Sequence, residues 1–123
     1  MAAFNKYALA ATGQTGNNTH TGVEVGGDEE TGDRVYVEFI VEVAGATPSV
    51  TYALQGSFDG TNYDTNGIAL IPSNSDTVAS TRAVTATGYT HNQTSQSRIF
   101  RFYRLVTTAN TNVTYAANLW VGS

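Results

Sequence analysis

VYVEFIVEV, residues 35–43, is the stretch from which the fold can be read. In an extended chain Val35, Val37, Phe39, Val41 and Val43 share one face, and Tyr36, Glu38 and Glu42 share the other. Strict alternation of this kind marks a strand with one side in a core and one in solvent. AGATPS (44–49) then turns the chain. In SVTYALQGSF (49–58) the inward set is Val50, Tyr52, Leu54, Gly56 and Phe58, and Asp59-Gly60 signals another turn.

Working outward, shorter strands are expected at 67–71, 78–87 and 98–107, with a last one at 113–121. The intervening PSNSD, HNQTSQS and TANTN segments are polar and turn-rich. Short strands without helices between them point to an antiparallel β-sandwich or barrel. An internal echo supports this reading. At an offset of 63, Phe39 aligns with Phe102, Val43 with Val106, and VTYA (50–53) with VTYA (113–116). The echo predicts one hairpin design used twice, one copy in each half of the sandwich. It places Val113, Tyr115, Ala117 and Leu119 inward and Trp120 outward, and it puts Arg104 inward, where a charge needs a partner.

Composition agrees. The 123 residues leave room for one domain, which buries roughly two-thirds of its unfolded surface. Nineteen Thr and ten Asn stand against five Leu and one Lys, so strong helix formers are scarce. Net charge is −4, which disfavours a general nucleic-acid binder. With 13% charged residues the surface is mostly Thr, Ser, Asn and Gly, which suits a protein that joins an assembly. The chain has no cysteine for a disulfide, no run of transmembrane length and no apolar run suited to a signal peptide. Synthesis in the cytoplasm, without secretion, is the expectation.

Residues 1–34 read as an extended polar N-terminal arm, and residues 35–123 as the β-sandwich domain. From Thr12 to Asp33 only Val23 and Val25 are sizeable apolar residues, too few to offset the entropy of ordering. The segment is either a loose tail or an arm pinned against another chain or its own domain. We take the pinned arm, with Phe4, Tyr7, Leu9, Val23 and Val25 as its anchors.

No enzyme constellation is legible. His20 and His91 sit in polar stretches, and GxSxG, HExxH, P-loop and paired Cys/His patterns are missing from the sequence. Asp28-Glu29-Glu30 with Asp33, and Asp59 with Asp64, read as solvated acidic turns rather than calcium loops. No cofactor, metal or small-molecule substrate is expected. The sequons at Asn17, Asn92 and Asn112 carry no meaning without secretion. Arg98, Arg101 and Arg104 alternate faces of a strand. Arg98 and Arg101 are candidates for ion pairs with Asp28, Glu29 and Glu30, within the chain or between subunits.

VEFIVEVAGATPSVTYALQGSFDGTNY followed by RFYRLVTTANTNVTYAANLWV resembles small virion structural proteins of tailed bacteriophages. The shared elements are the Gly45-Ala46-Thr47-Pro48-Ser49 turn, the run from Gln55 through Asp59-Gly60-Thr61-Asn62 to Tyr63, and Tyr103-Arg104-Leu105. The resemblance implies a jelly-roll-like or Ig-like sandwich on the capsid exterior. It implies a decoration (cement) protein that stabilises the head, with the major capsid protein and copies of itself, as a trimer, for partners. The arm would staple capsomers. Neither nucleic acid nor membrane is an expected partner. A tail, fibre or baseplate adaptor is the first alternative. A carbohydrate-binding module, with Tyr36, Tyr63 and Trp120 as an exposed aromatic platform, is the second.

Overall fold

The computed structural model describes residues 4–26 and 32–122. Asp28, Glu29 and Glu30, the acidic candidates for ion pairing, lie outside the described residues. The described chain is all-β and antiparallel. Its strands are β1 (Phe4–Gln14), β2 (Val23–Glu24), β3 (Arg34–Ser57), β4 (Leu70–Pro72), β5 (Arg82–Val84), β6 (Gly88–Thr94) and β7 (Phe102–Gly122). Among the described residues no helix is long and apolar enough to cross a membrane.

The framework is one long ribbon. β3 and β7 pair from Arg34 opposite Gly122 to Ser57 opposite Phe102. The ribbon doubles back in its middle, at residues 44–49 of β3 and 109–112 of β7. There Thr47, Ala109 and Asn112 adopt left-handed φ values of 46°, 51° and 57°, a conformation that is costly without glycine. Side chains brace the bend: Asn112 Nδ2 donates to the Ala46 carbonyl (2.7 Å), and Asn110 Oδ1 accepts from the Val113 N–H (3.1 Å). Doubling the ribbon brings its two halves face to face. One sheet comprises β1, the second half of β7, the first half of β3, β6 and β4. The other comprises β5, the second half of β3, the first half of β7 and β2.

The expected alternation fills the space between them. Val35, Val37, Phe39, Val41, Val50, Tyr52, Leu54, Val113, Tyr115, Ala117 and Leu119 are all buried. Phe39 stacks on Tyr52 across the sandwich at 4.3 Å and on Tyr115 at 5.2 Å. Such pairs add about 0.5–1.5 kcal/mol each beyond their buried area.

Several expectations are corrected. The two copies of the echo do not form separate hairpins; each leg of one pairs with a leg of the other. A bulge at Glu42, between the pairs Val41–Tyr115 and Val43–Thr114, turns Val43 outward to 59% exposure. In the second copy the irregularity falls elsewhere, between Thr108 and Thr111, where β7 steps three residues against two on β3. Its first leg is shifted by one residue relative to the 63-residue offset: Tyr103, Leu105 and Thr107 point inward and Arg104 outward. Phe58, expected inside, lies beyond the end of β3 and is 71% exposed. The inward space at Gly56 is filled by the Phe100 ring, which a Cβ there would meet at 2.1 Å. HNQT (91–94), read as linker, belongs to β6, and residues 98–101 precede β7 rather than opening it.

The N-terminal segment is seated on its own domain. β1 covers the edge of β7, from Phe4 opposite Gly122 to Gln14 opposite Tyr115. A bulge between Ala8 and Ala10 sends both Leu9 and Ala10 inward, at 2% and 5% exposure. Farther on, the backbone bonds to β7 through Thr107 N–H to Asn18 O and His20 N–H to Leu105 O, and Val25 is 1% exposed. Two of the five anchors proposed for a partner, Leu9 and Val25, thus belong to the chain's own core. An uncovered β7 edge and a void above the core would otherwise remain.

Candidate functional site

The outer face of the first sheet gathers a set of partly exposed aromatic and polar side chains. Alternation on β3 turns Tyr36 and Glu38 outward, and the register fixes their neighbours. Lys6, Trp120, Tyr36, Gln93 and Ile71 lie in one cross-strand row, and Ala8, Asn118, Glu38 and His91 in the next. Such lateral pairs are what a sheet face presents to a partner.

Glu38 is the hub of this face. Its Oε1 accepts from Asn118 Nδ2 at 3.0 Å and Trp120 Nε1 at 3.4 Å, and its Oε2 lies 2.9 Å from His91 Nε2. Burial acts to raise its pKa, but the hydrogen bonds from Asn118, His91 and Trp120 outweigh burial and hold it below the ordinary value. Lys6 Nζ sits 5.6 Å from the Trp120 ring centroid, a cation–π distance. Phe4, 44% exposed, meets Tyr36 edge-on at 5.7 Å. Beside Tyr36 the sheet carries an open cleft of about 610 Å³, lined also by residues 72–76.

The structure brings together Phe4, Tyr36 and Trp120 from the sequence candidates, and it separates Tyr63 from them. Tyr63 bridges to Ser57, and its ring lies 4.1 Å beneath the Arg104 guanidinium, which also donates to Gln55 (2.8 Å). Arg104 is thereby partnered on the outer side of the other sheet. Tyr7 and Val23 are partly buried against the core. Arg101 Nε donates to Glu24 Oε2 at 2.7 Å, with both side chains more than half exposed, an arrangement worth at most about 1 kcal/mol. Arg98 bonds through its backbone N–H to the Asp33 carbonyl and lies against Gly26.

His20 and Asp59 have structural partners. The buried Tyr115 hydroxyl accepts from Asn18 Nδ2 (3.0 Å) and lies 2.8 Å from both His20 Nε2 and Thr107 Oγ1. Burial lowers the His20 pKa. Asp59 Oδ1 accepts from the Thr61 and Asn62 N–H groups and the Ser57 hydroxyl, and Oδ2 from Asn62 Nδ2. The backbone bonds from Asn62 and Thr61, then the side chains, hold its carboxyl well below the usual range. The DGTN run is therefore a self-capped turn.

Glu38, His91, Gln93 and Asn118 escape a reading for binding residues because the inner face of β6 is polar. Asn92 and Thr94 point inward, where Asn92 bonds Tyr52 and Arg82, so apolar alternation is missing from that strand. The available signal was outward parity on β3, which already placed Glu38 beside Tyr36.

No protein-family model matches the chain, and no curated protein matches it. Among solved structures, one titled "Crystal structure of PirA" aligns over 98% of this chain and 93% of that chain, with 12% identity and a TM-score of 0.37. Similarity at that level carries no functional argument.

Proposed function

We propose that this chain is a structural protein of a bacteriophage virion, a non-catalytic capsid decoration protein that binds the major capsid protein lattice on the head exterior. The observation that carries the reading is where the family-like pattern falls. Its two segments are β3 and β7, the two strands of the doubled ribbon, and its turn residues are the bend and the self-capped DGTN loop. The pattern thus coincides with the framework of the domain.

The route of attachment differs from stapling by a free arm, because Leu9 and Val25 are committed to the core. The outer face around Phe4, Lys6 and Trp120 offers an alternative. It combines half-buried aromatic surface with few charges, the composition found at the centre of protein interfaces. Copies arranged around a symmetry axis would share the lattice contact and gain from effective concentration.

Co-expression with a tailed-phage major capsid protein, followed by gradient purification and mass spectrometry, tests the proposal. The chain should travel with heads at a fixed ratio to the capsid subunit. Recovery in tail fractions would favour a tail or baseplate adaptor, and recovery in neither would reject a virion role.

A further inference from the structure

We propose that the cleft between β6 and residues 72–76 is a binding site for a neutral pyranose sugar. This site adjoins the Phe4–Lys6–Trp120 face, with Tyr36 at their boundary, and its lining stands without the virion reading. A pyranose presents an apolar C–H face and a rim of hydroxyls, each able to donate and accept. Its site therefore needs an aromatic wall and planar polar groups of both kinds. Tyr36 supplies the wall, and Phe4 packs edge-on against its ring. Gln93 on the floor, with Asn74 and Asp76 on the far rim, supplies amide donors, amide acceptors and one carboxylate. At about 610 Å³ the cleft has room for one or two sugar rings.

Charge selects the class of sugar. No Lys or Arg lines the cleft, and Asp76 is on its rim. Its only other titratable nitrogen, on His91, is engaged by Glu38. Phosphate, sulfate and sialic acid are therefore disfavoured, and neutral rings are not. The rim is held in place before any ligand arrives. Ser73 N–H donates to the His91 carbonyl (2.9 Å), Thr77 N–H to Ser75 Oγ (3.2 Å), and Arg82 Nη2 to the Leu70 carbonyl (2.7 Å). Preorganisation of this kind limits the entropy lost on binding.

The test uses the full chain, ¹⁵N-labelled, titrated with methyl glycosides of glucose, galactose, mannose and N-acetylglucosamine, and separately with the methyl glycoside of N-acetylneuraminic acid. At least one neutral glycoside should give saturable amide shifts confined to residues 71–76 and 91–93 at concentrations up to about 10 mM, the regime of a single-ring site. The sialic acid glycoside should give none. Tyr36→Ala and Asn74→Ala should each weaken binding about tenfold or more. Asn74 lies in an exposed loop, so its substitution leaves the core intact even if Tyr36→Ala does not fold. A neutral oligosaccharide that shifts more residues along the same cleft than the methyl glycoside would identify a glycan chain rather than a free sugar as the source. Absence of cleft shifts with every neutral glycoside, equal shifts with the sialic acid glycoside, or full affinity in Asn74→Ala would each overturn the proposal.

Discussion

Tyr115 is wholly buried, yet its hydroxyl joins Asn18, His20 and Thr107, tying the N-terminal segment to the core ribbon. Tyr115→Phe keeps the ring and removes that junction. It should cost about 1–3 kcal/mol in urea unfolding, the range for leaving buried polar partners unsatisfied. Tyr52→Ala removes a stacked core ring instead and should cost about 3–5 kcal/mol. Thr51→Ala and Thr114→Ala, on outward positions, should stay within about 0.5 kcal/mol. The pH dependence follows from three depressed pKa values. His20 starts from an ordinary value of 6.5 and is lowered by burial. The unfolded chain therefore binds its proton first, and this contribution to stability is complete above pH 6.5 and lost as pH falls below it. Glu38 and Asp59 are also lowered, so their contributions are present above their ordinary values of 4.5 and 3.8 and are lost in more acid solution. Midpoints of thermal unfolding should drop in two stages on acidification, and His20→Gln should remove the first. A stability that rises on going from pH 7 to 5 would contradict the sign. Facing was legible at this scale wherever alternation was unbroken. Val43 and Arg104 were not, because register shifts at Glu42 in β3 and between Thr108 and Thr111 in β7 break the 63-residue echo and leave no mark in hydrophobicity.

At the level of elements, β1 shows how a polar strand hides in sequence. FNKYALAATGQ has no clean alternation, because the bulge puts Leu9 and Ala10 on the same side. Its stability comes from the β7 edge it covers, a long-range contact that composition does not register. β6 hides for a related reason, since its buried side chains are Asn and Thr. The framework strands β3 and β7 were legible because their core residues are large, apolar and alternating, and the VTYA echo correctly set the inward face of the second half of β7. How the four legs pair was not, since both hairpin and ribbon satisfy the same pattern. Deleting residues 2–14 should therefore destabilise the domain. Loss of Leu9 burial alone amounts to about 2–5 kcal/mol by analogy with Leu→Ala changes, and the bared β7 edge should promote association. A truncated protein that keeps its thermal midpoint and stays monomeric by size-exclusion chromatography would show that β1 is dispensable. Hydrogen exchange of the intact chain should find the β1 amides bonded to β7 protected even without a partner.

The whole molecule is a doubled ribbon whose first sheet shows a weakly charged aromatic face on one side of its width and a polar cleft on the other. Core strands and turn residues made the sandwich legible. The candidate surface was not, because it assembles from β1, β3, β6 and β7, residues far apart in sequence that only the pairing register makes neighbours. On the proposed reading capsid attachment would run through that surface, and a binding isotherm on undecorated heads, read by gel densitometry across a concentration series, tests it most directly. Saturable binding at a fixed ratio to the major capsid protein is expected. Trp120→Ala or Lys6→Glu on the first sheet should weaken it about tenfold or more, and Thr51→Ala on the second sheet should leave it unchanged. Failure of the folded wild-type protein to bind heads at any concentration, or equal binding by all four proteins, would contradict decoration through this face.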